Sequence, residues 1–571
     1  MGNACLPMPR HRNQRQPCVL SRSSNAIIAA SELTPATPPS RASELPNRFG
    51  PHENQPWMLL NLLASRARHN INEDQMVLEA LRVIRTLVDN DQEPPEILFR
   101  IHEIAGSEAG WLTIIQALIN CVPMDDPLGP AVTELIIDNC PLPSKQDIQN
   151  FLSFARPSRH SALAGRQHPV KHRNICLMIG CFAAKLPGQI SASMMTENLL
   201  EYLLCNLDIE ETHPQVVLFS LIALEKLAQT GENKRTIISR LREVSSDADA
   251  DSDALETETT RQRNPLVKLE SLKPLHEFFI RQIQFCAQWC LDNVFVLPGR
   301  SFAYESVNLT HVNALLSHQD VSEYLKLSPD GCTARNDSNS FESVRCTFQA
   351  DSGVWYYEAT VHTTGVMQIG WATKASKFMN HDGFGIGDDE FSIAYDGCRQ
   401  LIWFSAQSDH HFHPAWHAGD VLGCLLDLNR YKVIFYLNGT PLRPYSQIFK
   451  RIRTGFFAAA SFMTYQQCEF NFGQKPFRFP PREYDLQTFN SVGSLSPEQR
   501  LILPRPKRMD LRRVIIAQDS CIICCDGQAN TQLEPCHHQG YCVKCASVLD
   551  VCPMCRRQIN SRIPLRILSP K

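Results

Sequence analysis

Eight of the chain's 22 cysteines crowd between Cys521 and Cys555. Seven of them and one histidine form a regular series: Cys521-x2-Cys524-x11-Cys536-x-His538-x3-Cys542-x2-Cys545-x6-Cys552-x2-Cys555. Two thiolates separated by two residues reach one tetrahedral Zn²⁺ from a single tight turn. Three such pairs and one Cys-x-His pair supply eight ligands, enough for two closed Zn²⁺ sites. Zinc contributes roughly 10–16 kcal/mol of folding free energy in small zinc peptides, and a polar module this short needs it. Cys525 adjoins Cys524 and His537 adjoins His538, so the choice of His ligand stays open between the last two. The remaining cysteines, such as Cys176, Cys181, Cys205, Cys286 and Cys424, sit in apolar segments and read as buried thiols.

Other candidate chemistry is weaker. His410, His411, His413 and His417 cluster without a cysteine or carboxylate to complete a metal site, and a solvated polar loop is the better reading. Arg505, Lys507, Arg508, Arg512 and Arg513 lack interleaved aromatics, so a linker or docking face is favoured over nucleic-acid binding. The formal net charge of −3 excludes a uniformly basic nucleic-acid binder. Walker, Gly-x-Ser-x-Gly and His-Glu-x-x-His sequences are absent. No apolar run approaches the ~20 residues needed to span a bilayer. No secretion signal is seen either, which predicts free thiols and a cytoplasmic location, with the nucleus left open. The start Met-Gly-Asn-Ala-Cys-Leu offers Gly2 and Cys5 for lipid anchoring, but Leu6 stands where a myristoylation site wants Ser or Thr.

The elements that must position these groups change texture along the 571 residues. Residues 1–56 are rich in Pro and read as disordered. Residues 57–298 read as helical. Val77, Leu81, Ile84 and Val88 form one stripe, and helices opening at Pro169 and Pro214 stand 45 residues apart, inside the armadillo and HEAT range. A third apolar helix, Phe278 to Val294, arrives late because an acidic loop over 245–262 is inserted. A generic helical bundle is the simpler alternative. Residues 299–484 break into short β-runs, and Asn438-Gly439 marks a tight turn, which predicts an antiparallel sandwich.

The β-region resembles a SPRY domain. The matching stretches are Trp355-Tyr356-Tyr357-Glu358, Ile369 to Thr373, Gly387 to Phe391, Gly419 to Leu428, Phe435 to Gly439 and Cys468 to Gly473. The resemblance implies a bent β-sandwich whose edge loops hold protein or peptide partners, here Lys374 to Gly387 and Ser405 to Trp416. The quoted aromatics would then be core residues.

The cysteine-rich segment, 516–560 after a linker over 485–515 and before a tail over 561–571, resembles the RING finger. Its short spacing before Cys542 is similar to the compact RINGs of the inhibitor-of-apoptosis class. The resemblance implies that Cys521, Cys524, Cys542 and Cys545 hold one zinc. Cys536, His538, Cys552 and Cys555 would hold the other in a cross-braced module. It also implies a groove for a ubiquitin-conjugating enzyme, with Ile522 after the first ligand, Leu549 on the central helix and Pro553 between the last two ligands. Arg556, directly after the last ligand, would bridge the enzyme and its ubiquitin.

The whole order, helices then SPRY then RING, resembles the RING finger and SPRY domain-containing proteins. It implies a RING-type ubiquitin-protein ligase with no nucleophile of its own and a protein substrate held by the SPRY loops. Two other classes compete: a non-catalytic adaptor whose zinc module only shapes an interface, and a nucleic-acid-associated zinc protein.

Overall fold

The structure is a computed structural model. It describes residues 96–186, 188–246, 263–273, 277–377, 384–508, 521–524, 528–555 and 557–565, with isolated helical positions between 75 and 82. Residues 1–56, with Gly2 and Cys5, lie outside the described residues, as does most of the acidic loop. Of the first helical stripe, Val77 is described and buried, while Leu81, Ile84 and Val88 lie outside.

The helical region runs α1 (Glu96–Ala105), α2 (Gly110–Cys121), α3 (Gly129–Asn139), α4 (Lys145–Ala155), α5 (Arg159–Gly165), α6 (Pro169–Lys185), α7 (Gly188–Met194), α8 (Glu197–Cys205), α9 (Pro214–Leu227), α10 (Gly231–Ser246), α11 (Pro265–Glu270) and α12 (Phe278–Asn293). The two helices singled out by their opening prolines, α6 and α9, pack directly on each other at the centre. Both are buried almost all round, because neighbours cover every face. Proline costs nothing at the first turn, where its missing N–H had no partner. On α9 the ring of His213 accepts from the Gln215 N–H and closes the helix start. Helix α12 packs against α9 and α11, and its extent matches the expected third apolar helix.

Two seven-stranded antiparallel sheets follow. One has the order β1 (Leu316–Val321), β4 (Glu342–Cys346), β13 (Phe456–Phe462), β6 (Met367–Thr373), β7 (Ser392–Asp396), β8 (Leu401–Phe404) and β9 (Gln407–His410). The other has β12 (Thr440–Pro441), β11 (Lys432–Leu437), β10 (Val421–Asp427), β5 (Val354–Val361), β14 (Gln466–Asn471), β3 (Thr333–Asn336) and β2 (Lys326–Leu327). Trp355, Tyr356, Tyr357 and Trp371 are all buried, as the SPRY resemblance implied. Asn438 and Gly439 both take positive φ (49° and 83°) at the hairpin between β11 and β12, which a two-residue primed turn requires.

Helices and sandwich share a polar interface. Tyr465, in the turn between β13 and β14, enters the helical region edge-on to Phe219, with ring centroids 5.2 Å apart. Its hydroxyl donates to Glu134 of α3, and the Lys226 ammonium of α9 donates to the same carboxylate at 2.6 Å. Burial alone would push that ammonium down, but Glu134 holds it above its ordinary value. Beside this triad, Lys326 of β2 bridges Glu225 (2.5 Å) and Asp337 (2.8 Å), and Arg335 reaches Gln282 of α12 at 3.0 Å. Each of these charges is paired, and all but the half-buried Glu225 are buried, as burial demands of them.

Candidate functional site

The cysteine-rich module is a three-stranded sheet of order β16 (His538–Tyr541), β15 (Thr531–Glu534) and β17 (Ser561–Pro564), with one short helix, Val543–Ser547. Among the described residues, its apolar core cluster is Leu533, Tyr541, Ala546, Cys552 and Ile559. Five side chains are far from enough to order a domain this small without help.

The help is visible in the ligand geometry. Cys521, Cys524, Cys542 and Cys545 gather their sulfurs within 4.8 Å of one another, and Cys536, His538, Cys552 and Cys555 do the same with three sulfurs and one ring nitrogen. Within them Cys524 and Cys542 have Sγ atoms 3.9 Å apart, and His538 Nδ1 is 3.6 Å from Cys552 Sγ. A tetrahedral Zn²⁺ with ~2.3 Å bonds to sulfur sets its ligand atoms ~3.8 Å apart. These separations are too long for disulfides and right for a shared cation, so the two clusters fit two Zn²⁺. The clusters take alternate pairs along the chain, which ties each ligand loop to a distant one.

Local folding prepares the thiolates. Cys542 caps the short helix, its sulfur accepting the Cys545 N–H at 3.4 Å. Burial raises the Cys521 thiol, yet hydrogen bonds from backbone N–H groups, that of Cys524 foremost, bring it down to about 6. Cys552 is likewise drawn to about 6 against its burial by the N–H groups of Cys555 and Met554. Cys545 moves the other way, up to about 12, through its contact with Cys542. Crowded thiols cannot all ionise without a cation between them, and a metal lifts that conflict.

Of the two adjacent histidines, His538 belongs to a cluster. His537 turns away at φ 58°, is 69% exposed, and lies 2.9 Å from Glu534 Oε1. Cys525 and Arg556 lie outside the described residues.

The residues expected at a partner groove divide. Ile522 (51% exposed) and Pro553 both face solvent beside the clusters. Leu549 is not on the helix: the helix ends at Ser547, and Leu549 is half-buried against the small core. The reason is Arg562 of β17, whose guanidinium donates to the carbonyls of Ala546 and Leu549 and closes the helix there. Sequence reading missed Val548, Val551 and Met554, all more than half exposed. Apolar residues beside ligands in a module with so little interior were the available signal.

The two expected partner loops of the sandwich are described to different extents. Residues 378–383 of the first lie outside the described residues. The second is a solvated loop only in part: His410 and His417 are exposed, while His411 and His413 are buried. It opens with edge strand β9, and then His411 stacks on Tyr395 at 4.5 Å while His413 lies 3.3 Å from the Tyr395 hydroxyl. Burial pushes His411 down to about 4, so the ring is neutral and packs as an aromatic. Phe412 between them is 98% exposed. The basic run after the sandwich is a docked strap as far as it is described. The Arg505 N–H donates to Asn293 Oδ1 at 2.8 Å, its guanidinium lies over Trp289, and Lys507 lies over Phe302.

Comparison with known proteins agrees with this geometry. Residues 354–475 match the SPRY domain family, and residues 517–562 match the family described as zinc finger, C3HC4 type (RING finger). The chain therefore carries a SPRY domain followed by a C-terminal RING zinc finger. It is 37% identical over 142 residues to the E3 ubiquitin-protein ligase RKP of Arabidopsis thaliana, covering 24% of this chain and 11% of that protein. It is 26% identical over 158 residues to the ATP-dependent RNA helicase DDX1 of Xenopus laevis, covering 28% of this chain and 20% of that one. Among solved structures, the SPRY domain of human HERC1 is similar over 28% of this chain and 99% of its own, at 11% identity and TM-score 0.24. The TRIM65 PSpry domain is similar over 31% and 99%, at 14% identity and TM-score 0.23. No helix among the described residues is long and apolar enough to cross a membrane.

Proposed function

We propose that this SPRY and RING chain works as a RING-type ubiquitin-protein ligase. The RING recruits a ubiquitin-charged conjugating enzyme, and the SPRY domain, braced by an armadillo-like helical region, holds the protein to be modified. The observation that carries this reading is the exposure of four apolar residues, Ile522, Val548, Pro553 and Met554, in a module of two ligand clusters and a very small core. A zinc module serving only as a structural knob has no need of so much exposed apolar surface. The partial relationship to a protein named as an E3 ligase supports the same reading.

In this mechanism the chain supplies position rather than a nucleophile. Ile522 and Pro553 grip the conjugating enzyme, with Leu549 supporting them from beneath. Arg556 donates to the enzyme and its ubiquitin together, a task suited to a planar fork of donors. Holding the thioester in an attack-ready geometry lowers the entropic part of the barrier for an incoming lysine. On the SPRY side, Phe412, Phe384 and the loop segments around them form the substrate surface.

The test is discharge of ubiquitin from a panel of charged conjugating enzymes onto free lysine by the full chain. Ile522→Ala and Arg556→Ala are each expected to slow discharge about tenfold or more, equivalent to ~1.4 kcal/mol, with two zinc ions retained. Unchanged discharge by both variants refutes the mechanism. A zinc-loaded wild-type chain that stimulates no enzyme of the panel leaves the adaptor reading in its place.

A further inference from the structure

The outermost strand of a sheet presents N–H and C=O groups that the sheet itself leaves unpaired, and native folds cover or blunt such edges. Among the described residues the sandwich has four edges, and three are managed. Strand β2 has two residues, and its Lys326 is committed to Glu225 of α9. Strand β12 also has two, the second of them Pro441. Strand β1 lies against the short helix Pro497–Arg500. Strand β9, Gln407-Ser408-Asp409-His410, is different. It carries no proline, lysine or bulge, its residues are exposed or half-buried, and it pairs with β8 alone. The register fixes which groups point outward. Ser405 and Ala406, both at positive φ (56° and 58°), form a two-residue primed turn that pairs Phe404 with Gln407. The His411 N–H donates to the Gln400 carbonyl at 3.0 Å, toward β8. Bonding alternates along an antiparallel pair, so the main-chain groups of Gln407 and Asp409 also face β8, and those of Ser408 and His410 face away. The edge is held at both ends. The Ser405 and Ala406 N–H groups donate to the carbonyls of Asp389 and Gly387, each at 3.1 Å, and His411 is stacked on Tyr395. Just past the strand stands Phe412, almost wholly exposed.

We infer that β9 takes up an extended segment of the protein to be modified as an added strand, with an apolar side chain of that segment covering Phe412. The inference rests on the reading that the sandwich holds the substrate, and it names how. Ser408 and His410 each offer an outward N–H and C=O, so the main chain of the segment supplies the affinity and its side chains the choice. The edge is already ordered, so only the incoming segment loses freedom on binding. A residue set opposite Asp409 must not be acidic, because like charges across a strand pair repel. A second copy of this chain fits less well for that reason. Two β9 strands pairing antiparallel about Asp409 would set the carboxylate against its twin, and would face Phe412 with only Ala406 of the turn.

The probes are heptapeptides selected from a random phage-displayed library on the full chain, then synthesised with a fluorescent label for anisotropy. Methylating alternate peptide nitrogens should abolish binding for one of the two alternate sets and spare the other, because only one set faces β9. His410→Pro removes an outward donor that the sheet does not use and should cost at least about tenfold in affinity. Phe412→Ser changes a side chain the fold does not bury and should cost several-fold. Bound peptide should slow exchange of the Ser408 and His410 amides. Peptides that bind both variants as tightly as wild type overturn the proposal. So does a library that yields no binder, or equal tolerance of the two methylated sets. A dimer of the free chain that His410→Pro dissolves assigns the edge to a second copy and overturns it too. No ubiquitin transfer enters the assay. A chain that passes it yet stimulates no conjugating enzyme loses the ligase reading and keeps the edge as a docking site.

Discussion

The RING and the interface between helices and sandwich are both held by buried charge, and they solve the problem in opposite ways. In the RING, thiolates are gathered by metal ions around a core of five side chains. At the interface, charges are paired with each other inside a large apolar body: Glu134 with Lys226 and Tyr465, and Lys326 with Glu225 and Asp337. The first arrangement creates stability where burial cannot. The second spends part of an existing surplus, since a buried ion pair is about neutral against an apolar replacement but costly when only half of it is removed. The RING should therefore respond to metal and the interface to pairing, each without the other.

Metal removal breaks this contrast most strongly if it is wrong. Stripping the chain with a chelator should release two zinc ions per chain and unfold residues 521–565, a loss of roughly 10–16 kcal/mol of the kind seen in zinc peptides. The helices and sandwich should keep their protection in amide exchange. A RING still protected after both ions are gone would remove the basis of the comparison. Next in size is Lys226→Met. It leaves the Glu134 carboxylate buried beside only the Tyr465 hydroxyl and should cost about 3–5 kcal/mol in urea unfolding, with zinc content unchanged. Adding Glu134→Gln should restore more than half, because the charge is gone while an oxygen remains to accept from Tyr465. A single variant within about 0.5 kcal/mol of wild type, the range of ordinary surface changes, would show that the triad carries no buried charge cost.

The same contrast explains what could be read from the sequence. Metal ligands obey short spacings, because one turn of chain must reach one ion, so the ligand pairs were legible from Cys521 to Cys555, and the RING resemblance implied how they divide between two ions. The strands were legible too, through β-branched runs and the Asn438-Gly439 turn. The interface was not, since Glu134, Lys226 and Tyr465 lie far apart in the chain and no local pattern marks a charge that will be buried. His411 and His413 were misjudged for the same reason: their partner Tyr395 comes from another strand. Leu549 was placed on the helix by the RING resemblance, and nothing local showed otherwise, because Arg562, which ends that helix, belongs to a strand downstream.

The acid limb of unfolding sharpens the interface side of the comparison with a smaller effect. Glu469 on β14 is held down to about 2 by the His362 ring, 3.6 Å away, then by Lys475 at 2.7 Å, against its burial. Arg281 of α12 adds a contact at 3.3 Å. Its folded value lies below the ~4.3 of an unfolded glutamate, so its contribution is fully present above that value and fades as pH falls toward 2. Glu469→Gln should flatten the loss of stability between about pH 4 and 2. Identical slopes for the variant and wild type would show that Glu469 does not link α12 to the sandwich.

The smallest effect concerns the RING's adjacent histidines. His537→Gly removes a side chain from a positive-φ position, where glycine sits without steric cost. That gain is opposed by two losses. The exposed contact with Glu534 is worth about 0–1 kcal/mol at most, and glycine gives the unfolded chain more freedom to lose. The terms nearly cancel, so stability should move by less than about 1 kcal/mol and both ions should stay bound. His538→Ala, one residue on, should instead release an ion from the cluster of Cys536, Cys552 and Cys555. If His537→Gly released that ion, the ligand set would have to be redrawn, and with it the division between a RING held by metal and an interface held by pairing.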